Sequence, residues 1–170
     1  VLGVLNPIKE MIALSHAHDV PVLIDGCQSA AHMAVDVQEL DCDFFALSSH
    51  KMYGPTGVGV LYAKENWLDK MPPFHYGGDM IRSVTFEKTE FNVLPYKFEA
   101  GTPNIAGAVG LGEAVTFLES LDRPELHLYE MELMTELKNG LMAIPDIHVL
   151  CANEDGYGSV SFVMNSVHAH

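Results

Sequence analysis

Apolar and polar positions follow two rhythms along this chain. Over residues 6–19, "NPIKEMIALSHAHD", Ile8, Met11, Ile12 and Ser15 recur at helical spacing. Asn6 is the expected cap and Pro7 the expected first helical residue. Residues 20–26, "VPVLIDG", are a short unbroken apolar run ended by Asp-Gly, which predicts a strand buried on both faces. Residues 35–43, "VDVQELDCD", predict a short helical turn and a loop. "FFALSS" (44–49) predicts a second strand. "GVGVLYAK" (57–64) predicts a third, after the turn Gly-Pro-Thr-Gly.

Residues 71–104 lose the rhythm. They are rich in Pro, Gly and aromatics and read as a long functional loop or as short strands and turns. Helical spacing resumes over 103–121, where Leu111, Ala114, Val115 and Leu118 form a stripe. A second helix is expected over 124–143, preceded by Asp122 or Arg123, with Leu126, Tyr129, Leu133, Leu137 and Leu141 on one face. "IHVLC" (147–151) and "GSVSFVMN" (158–165) read as closing strands, with Val160, Phe162 and Met164 alternating in the second. Helices interleaved with buried strands predict an α/β fold with a mainly parallel sheet. The later helix and strand pair predict the start of a smaller α+β unit. The boundary falls near Pro124, dividing the chain into 1–123 and 124–170.

Composition narrows the class. The 170 residues and 48% hydrophobic content suit one globular domain with a real core. The net charge of 9 − 23 = −14, with no basic stripe, argues against phosphate-driven nucleic-acid binding and against anionic membranes. No run approaches the roughly 18 apolar residues of a membrane span. Cys27, Cys42 and Cys151 are odd in number and far apart, which points away from a disulfide framework and towards a reducing, cytoplasmic setting. The pairs His16/His18 and His168/His170 have no companion at a metal-ligand spacing, so they read as ordinary surface histidines and no metal is expected. The chain opens on Val1 and stops straight after a strand-like run, so it reads as part of a longer protein.

The polar residues at the strand ends carry the chemistry. Asp25 closes "PVLID", and Gln28 follows three residues on. Ser48, Ser49, His50 and Lys51 close "FFAL". Alternation puts Ser48 and His50 on one face, with Lys51 where the chain turns. Each residue alone has an ordinary reading, such as turn former, surface amide or solvated lysine. Ligands of open α/β sheets bind at the carboxyl ends of strands, so together these residues describe a site. An aldehyde cofactor with a pyridine ring needs a carboxylate at its ring nitrogen, donors for its phenolic oxygen and phosphate, and a lysine for a Schiff base. Gly54, Gly57 and Gly59 allow a tight turn behind the lysine. "GPTGVGV" lacks the GK[ST] of a P-loop and opens no helix.

"LIDGCQSAAHMAVDV", "DCDFFALSSHKMYGPTGVGVLY" and "FEAGTPN" resemble the large-domain core of class V aminotransferase-fold enzymes, and most of all the SufS/CsdA-type (group II) cysteine desulfurases and selenocysteine lyases. The combination of D-G-x-Q with S-x-H-K-x-Y-G-P-x-G is specific, and the resemblance runs along nearly the whole chain. It implies the large domain of a fold type I pyridoxal-phosphate enzyme. Lys51 would hold pyridoxal 5'-phosphate and move the proton at the substrate α-carbon. Asp25 would pair with the ring nitrogen and Gln28 with the phenolic oxygen, while Ser48 and His50 would bind the phosphate. Thr102, in "GTPN", would touch the phosphate held by the other subunit of a homodimer.

The implied reaction converts L-cysteine, or L-selenocysteine, to alanine. The sulfur leaves as an enzyme persulfide bound for an acceptor protein of iron–sulfur cluster assembly. The family's mobile cysteine, its substrate-gripping arginine and its ring-stacking histidine have no counterpart in residues 1–170, so the chain alone is expected to be inactive. Cys27 and Cys42 read as small buried hydrophobes and Cys151 as part of a strand. Another class V aminotransferase or an epimerase would use Lys51 and Asp25 equally well. A third reading is a non-catalytic dimerising or partner-binding domain.

Overall fold

The computed structural model describes residues 2–152 and 157–168. Its first half alternates helix and strand: α1 (Ile8–His16), β1 (Leu23–Asp25), α2 (Ser29–His32), α3 (Val37–Leu40), β2 (Phe44–Ser48), β3 (Gly59–Ala63) and α4 (Glu65–Lys70). A hairpin of β4 (Ile81–Val84) and β5 (Thr89–Phe91) follows. Then come two long helices, α5 (Ile105–Glu119) and α6 (Arg123–Met142), and a second hairpin of β6 (Ile147–Val149) and β7 (Phe162–Met164). Single turns of 3-10 helix span Ser49–Lys51 and Tyr96–Phe98.

The central sheet has the order β1-β2-β3. β1 and β2 run parallel, with Asp25 opposite Ala46. β2 and β3 run antiparallel, with Ser48 opposite Gly59. The expectation of a mainly parallel sheet therefore holds for one strand pair and fails for the other. A parallel return needs a crossover of a dozen residues or more. Residues 49–58 supply only a 3-10 turn and a glycine-rich bend.

One face of the sheet is packed. Ile24 and Phe45 meet Ile12 of α1 and Cys42, with Val35, Val37 and Leu40 around them. Beside this cluster, Leu118 of α5 packs with Ala30, Ala31 and Met52, and Met52 follows the 3-10 turn directly. The other face carries Leu23, Phe44, Ala46 and Leu61. Leu23 is 58% exposed there, so β1 is not buried on both faces as its apolar run predicts. The run was long enough for burial, but the described residues bring no second layer over it.

Helix ends follow local chemistry. Asp36 caps α3, Asn104 caps α5 and Asp122 caps α6, each through a side-chain oxygen that accepts a backbone N–H. α1 differs from expectation: Pro7 is the cap, and Asn6 offers its backbone carbonyl to Ile8 rather than its side chain. The expected stripe on α6 forms, yet Tyr129, Leu133 and Leu137 are exposed and no residue of the helix is buried. The helix is held to α2 by polar links instead: Arg123 donates to the Ala31 carbonyl at 2.7 Å, and His32 meets Glu130 at 3.0 Å. Cys151 lies in a turn beyond β6 with φ of +53°, so it is not part of the strand expected there. Of the second histidine pair, His170 lies outside the described residues.

The strongest polar anchor sits at the start of β2. Asp43 is buried and accepts hydrogen bonds from the Val22 N–H, the Trp67 indole and the His16 ring, each at 2.8 Å. It thereby ties α1, β1, β2 and α4 together. His16 also lies 3.5 Å from Asp41, so it is a structural bridge rather than a surface histidine. Among the described residues, no group of three His, Cys, Asp or Glu side chains is placed to hold a metal ion.

Candidate active site at the strand ends

Asp25 and Ser48 close adjacent parallel strands, so the register brings them to the same end and the same face of the sheet. This is the open face. Asp25 is exposed and Ser48 half-buried. Cys27 lies between them. Its N–H donates to Asp25 Oδ1 at 3.0 Å, and its sulfur is 3.4 Å from Ser48 Oγ. The Cys27 thiol and its backbone N–H, followed by the nearby Lys51 ammonium, hold the Asp25 carboxyl below its ordinary value despite slight desolvation. The carboxylate is therefore ionised throughout the neutral range, in the field of Lys51.

Lys51 ends the 3-10 turn that leaves β2. The turn is organised by Ser49. Its N–H donates to the Val58 carbonyl, and its own carbonyl accepts from Met52 at 2.8 Å and Gly54 at 3.0 Å. This capture ends the strand at Ser48. His50 thus sits inside a turn, and strand alternation does not place it on a face with Ser48 as the sequence suggested. His50 and Lys51 are both exposed. Gln28 immediately precedes α2, without a side-chain cap bond, and shares with Asp25 the lining of a cleft of about 460 Å³ between α1, α3 and the sheet. Lys51 does not line that cleft.

Thr102 is exposed, in the turn that leads to α5, and makes no hydrogen bond with the other five candidates among the described residues. Its segment is nevertheless fixed: Gly101 donates to the Gly78 carbonyl at 2.9 Å, and Asn104 Nδ2 to the Gly57 carbonyl at 3.2 Å. The structure therefore joins Asp25 and Ser48 through Cys27, brings the Lys51 charge within electrostatic reach of Asp25, and shows no hydrogen bond from Gln28, His50 or Thr102 to them among the described residues. The sequence names Ser49 among the strand-end residues without a role of its own and reads Cys27 as a small buried hydrophobe. Cys42 is fully buried as expected, but Cys27 is only half-buried and touches the site. No spacing signal marks these contacts, because that of Cys27 depends on how β1 and β2 are paired and those of Ser49 on how the loop after β2 closes.

A model of the aminotransferase class V family matches residues 1–170. The chain belongs to that family. A probable cysteine desulfurase of Halalkalibacterium halodurans is 47% identical over 170 residues, covering all of this chain and 42% of the relative. A cysteine desulfurase of Escherichia coli is 46% identical, again over 100% of this chain and 42% of the relative. Among solved structures, the cysteine desulfurase CsdA of Escherichia coli superimposes with a TM-score of 0.91 at 37% identity, over 99% of this chain and 42% of that one. The cystine C-S lyase C-DES, in complex with its product cysteine persulfide, gives a TM-score of 0.80 at 27% identity, over 93% and 43%. A C-DES mutant with glycine covalently linked to its PLP cofactor scores 0.80 at 27% identity, over 94% and 43%. This class V chain thus has the α/β fold of those enzymes and spans 42% of the length of the curated relatives it matches.

Proposed function

We propose that residues 1–170 are the lysine-bearing part of a pyridoxal-phosphate-dependent cysteine desulfurase. One observation carries this reading: a carboxylate, Asp25, closes a strand within the field of Lys51, an amine in the turn that leaves the adjacent strand, in a chain 44–47% identical to cysteine desulfurases.

The donor set fits the cofactor. Lys51 would hold it, Asp25 would face its ring nitrogen, Gln28 would meet its phenolic oxygen, and Ser48 and His50 would donate to its phosphate. Pyridoxal phosphate supplies an electrophilic aldehyde and an electron-accepting ring. Asp25, kept ionised by Cys27 and Lys51, would keep the ring nitrogen protonated. The Lys51 amine would take the proton from the α-carbon of L-cysteine; once the sulfur has left, the β-carbon gains a proton and Lys51 would return one to the α-carbon, completing alanine. A cysteine thiolate from outside this chain takes the substrate sulfur, giving alanine and a persulfide. Cys27, Cys42 and Cys151 are poor candidates for that thiolate. Cys42 is buried with its thiol pushed up by desolvation, Cys27 is committed to Asp25 and Ser48, and Cys151 sits in the turn beyond β6.

The finer assignments belong to the same proposal. The enzyme works as a homodimer, in which Thr102 serves the partner's phosphate site; the exposure of Thr102 in a turn fixed by Gly101 and Asn104 supports that role. The persulfide passes to an acceptor protein of iron–sulfur assembly. Three free thiols support a cytoplasmic setting. Residues 1–123 form part of the large domain and 124–170 part of the small one, a division supported by the packing of α6 on β6.

The full-length polypeptide supplied with L-cysteine and a reductant is expected to release alanine and sulfide in equal amounts. Selenide from L-selenocysteine without sulfide from L-cysteine would reassign it as a selenocysteine lyase. Amino transfer to a keto acid would reassign it as an aminotransferase.

A further inference from the structure

The loop from Ser49 to Gly54 surrounds the candidate lysine, and its two ends meet. Ser49 is fully buried, and its Oγ has no hydrogen-bond partner. Gly54 packs directly onto that oxygen. A Cβ added at Gly54 would overlap Ser49 Oγ, with the Ser49 carbonyl at 3.2 Å and Ser49 Cβ at 3.4 Å. Between them, Tyr53 takes a left-handed φ of +64°. Met52 faces inward onto Leu118, and Lys51 faces solvent. A buried hydroxyl without a partner needs an explanation, and backbone strain of this kind gathers at functional sites.

We propose that Ser49 and Gly54 are a positioning pair that sets where the Lys51 amine stands. Ser49 closes the loop by accepting from Met52 and Gly54. The missing side chain at Gly54 lets the loop close over the Ser49 hydroxyl. The hydroxyl works as a spacer rather than as a hydrogen-bonding group. Gly54 has no positive φ of its own, so a side chain there tests space and not backbone strain. The inference rests on the reading of Lys51 as the cofactor lysine.

The test uses the full-length polypeptide and reads three quantities: the dissociation constant of pyridoxal phosphate, the pH midpoint of its visible band, and the melting temperature. Gly54→Ala is expected to weaken cofactor binding about tenfold or more, the usual scale of overpacking, and to move the pH midpoint. Ser49→Ala removes the overlapping oxygen. Alone it removes the spacer, so the midpoint is expected to move while loss of the unpartnered hydroxyl raises the melting temperature. Combined with Gly54→Ala it restores binding to within about threefold. Wild-type binding by Gly54→Ala, or failure of Ser49→Ala to rescue it, overturns the proposal. If Gly54→Ala does not fold, the double variant decides: near-native binding supports the pair, and lost binding refutes it. Lys51→Ala separates the two levels. If borohydride still fixes the cofactor to the chain in Lys51→Ala, the assignment of the lysine is wrong; if fixation is lost while Gly54→Ala behaves as wild type, only the positioning pair is wrong.

Discussion

At Asp43, burial and hydrogen bonding pull one carboxyl in opposite directions. Desolvation pushes its pKa up. The bonds from His16, Val22 and Trp67, with the Lys64 charge, outweigh that and bring it from 3.8 to about 2. Because the folded value is the depressed one, Asp43 stabilises the fold fully above pH 4 or so. Roughly 2 kcal/mol of that is lost as pH falls towards 2. Acid titration of unfolding should show this loss, and Asp43→Ala should remove it while lowering stability by about 3 kcal/mol at neutral pH. The same reasoning at Asp25 gives a direction only. Cys27→Ala removes the first cause of its lowered pKa, so the Asp25 carboxyl should rise towards 3.8 in a carboxylate NMR titration. An unchanged midpoint would mean that the thiol plays no part.

At the scale of elements, α5 supports the site from behind. Leu118 is 1% exposed and packs on Met52, the residue after Lys51. Leu118→Ala should cost about 2–5 kcal/mol in denaturant unfolding and loosen cofactor binding with it. Most elements were legible from the sequence. Helical spacing gave α5 and α6, and apolar runs closed by turn residues gave β1, β2 and β3. Pairing was less legible. The direction of β3 depends on the length and content of residues 49–58, and the open face of β1 depends on what packs there. Residues 71–104 hid the β4–β5 hairpin, because its short strands lack clean alternation. At the site, Asp25, Ser48 and Lys51 were readable as strand-end residues. The parts played by Cys27 and Ser49 emerge only when β1 lies beside β2 and the loop closes on Gly54.

For the molecule as a whole, the packed face of the sheet and its open face divide the work. Clusters around Ile12, Phe45 and Leu118 hold the strands in register, and the open face presents Asp25 and Ser48. The central claim is that Lys51 carries pyridoxal phosphate opposite the Asp25 carboxylate. The most direct measurement is the visible absorbance spectrum of the full-length polypeptide, purified with pyridoxal phosphate, beside that of Lys51→Ala at equal melting temperature. The account predicts a pH-dependent visible band in the parent that borohydride reduction fixes to Lys51, and no such fixation in the variant. A band that survives Lys51→Ala with the cofactor reduced onto another lysine would contradict it.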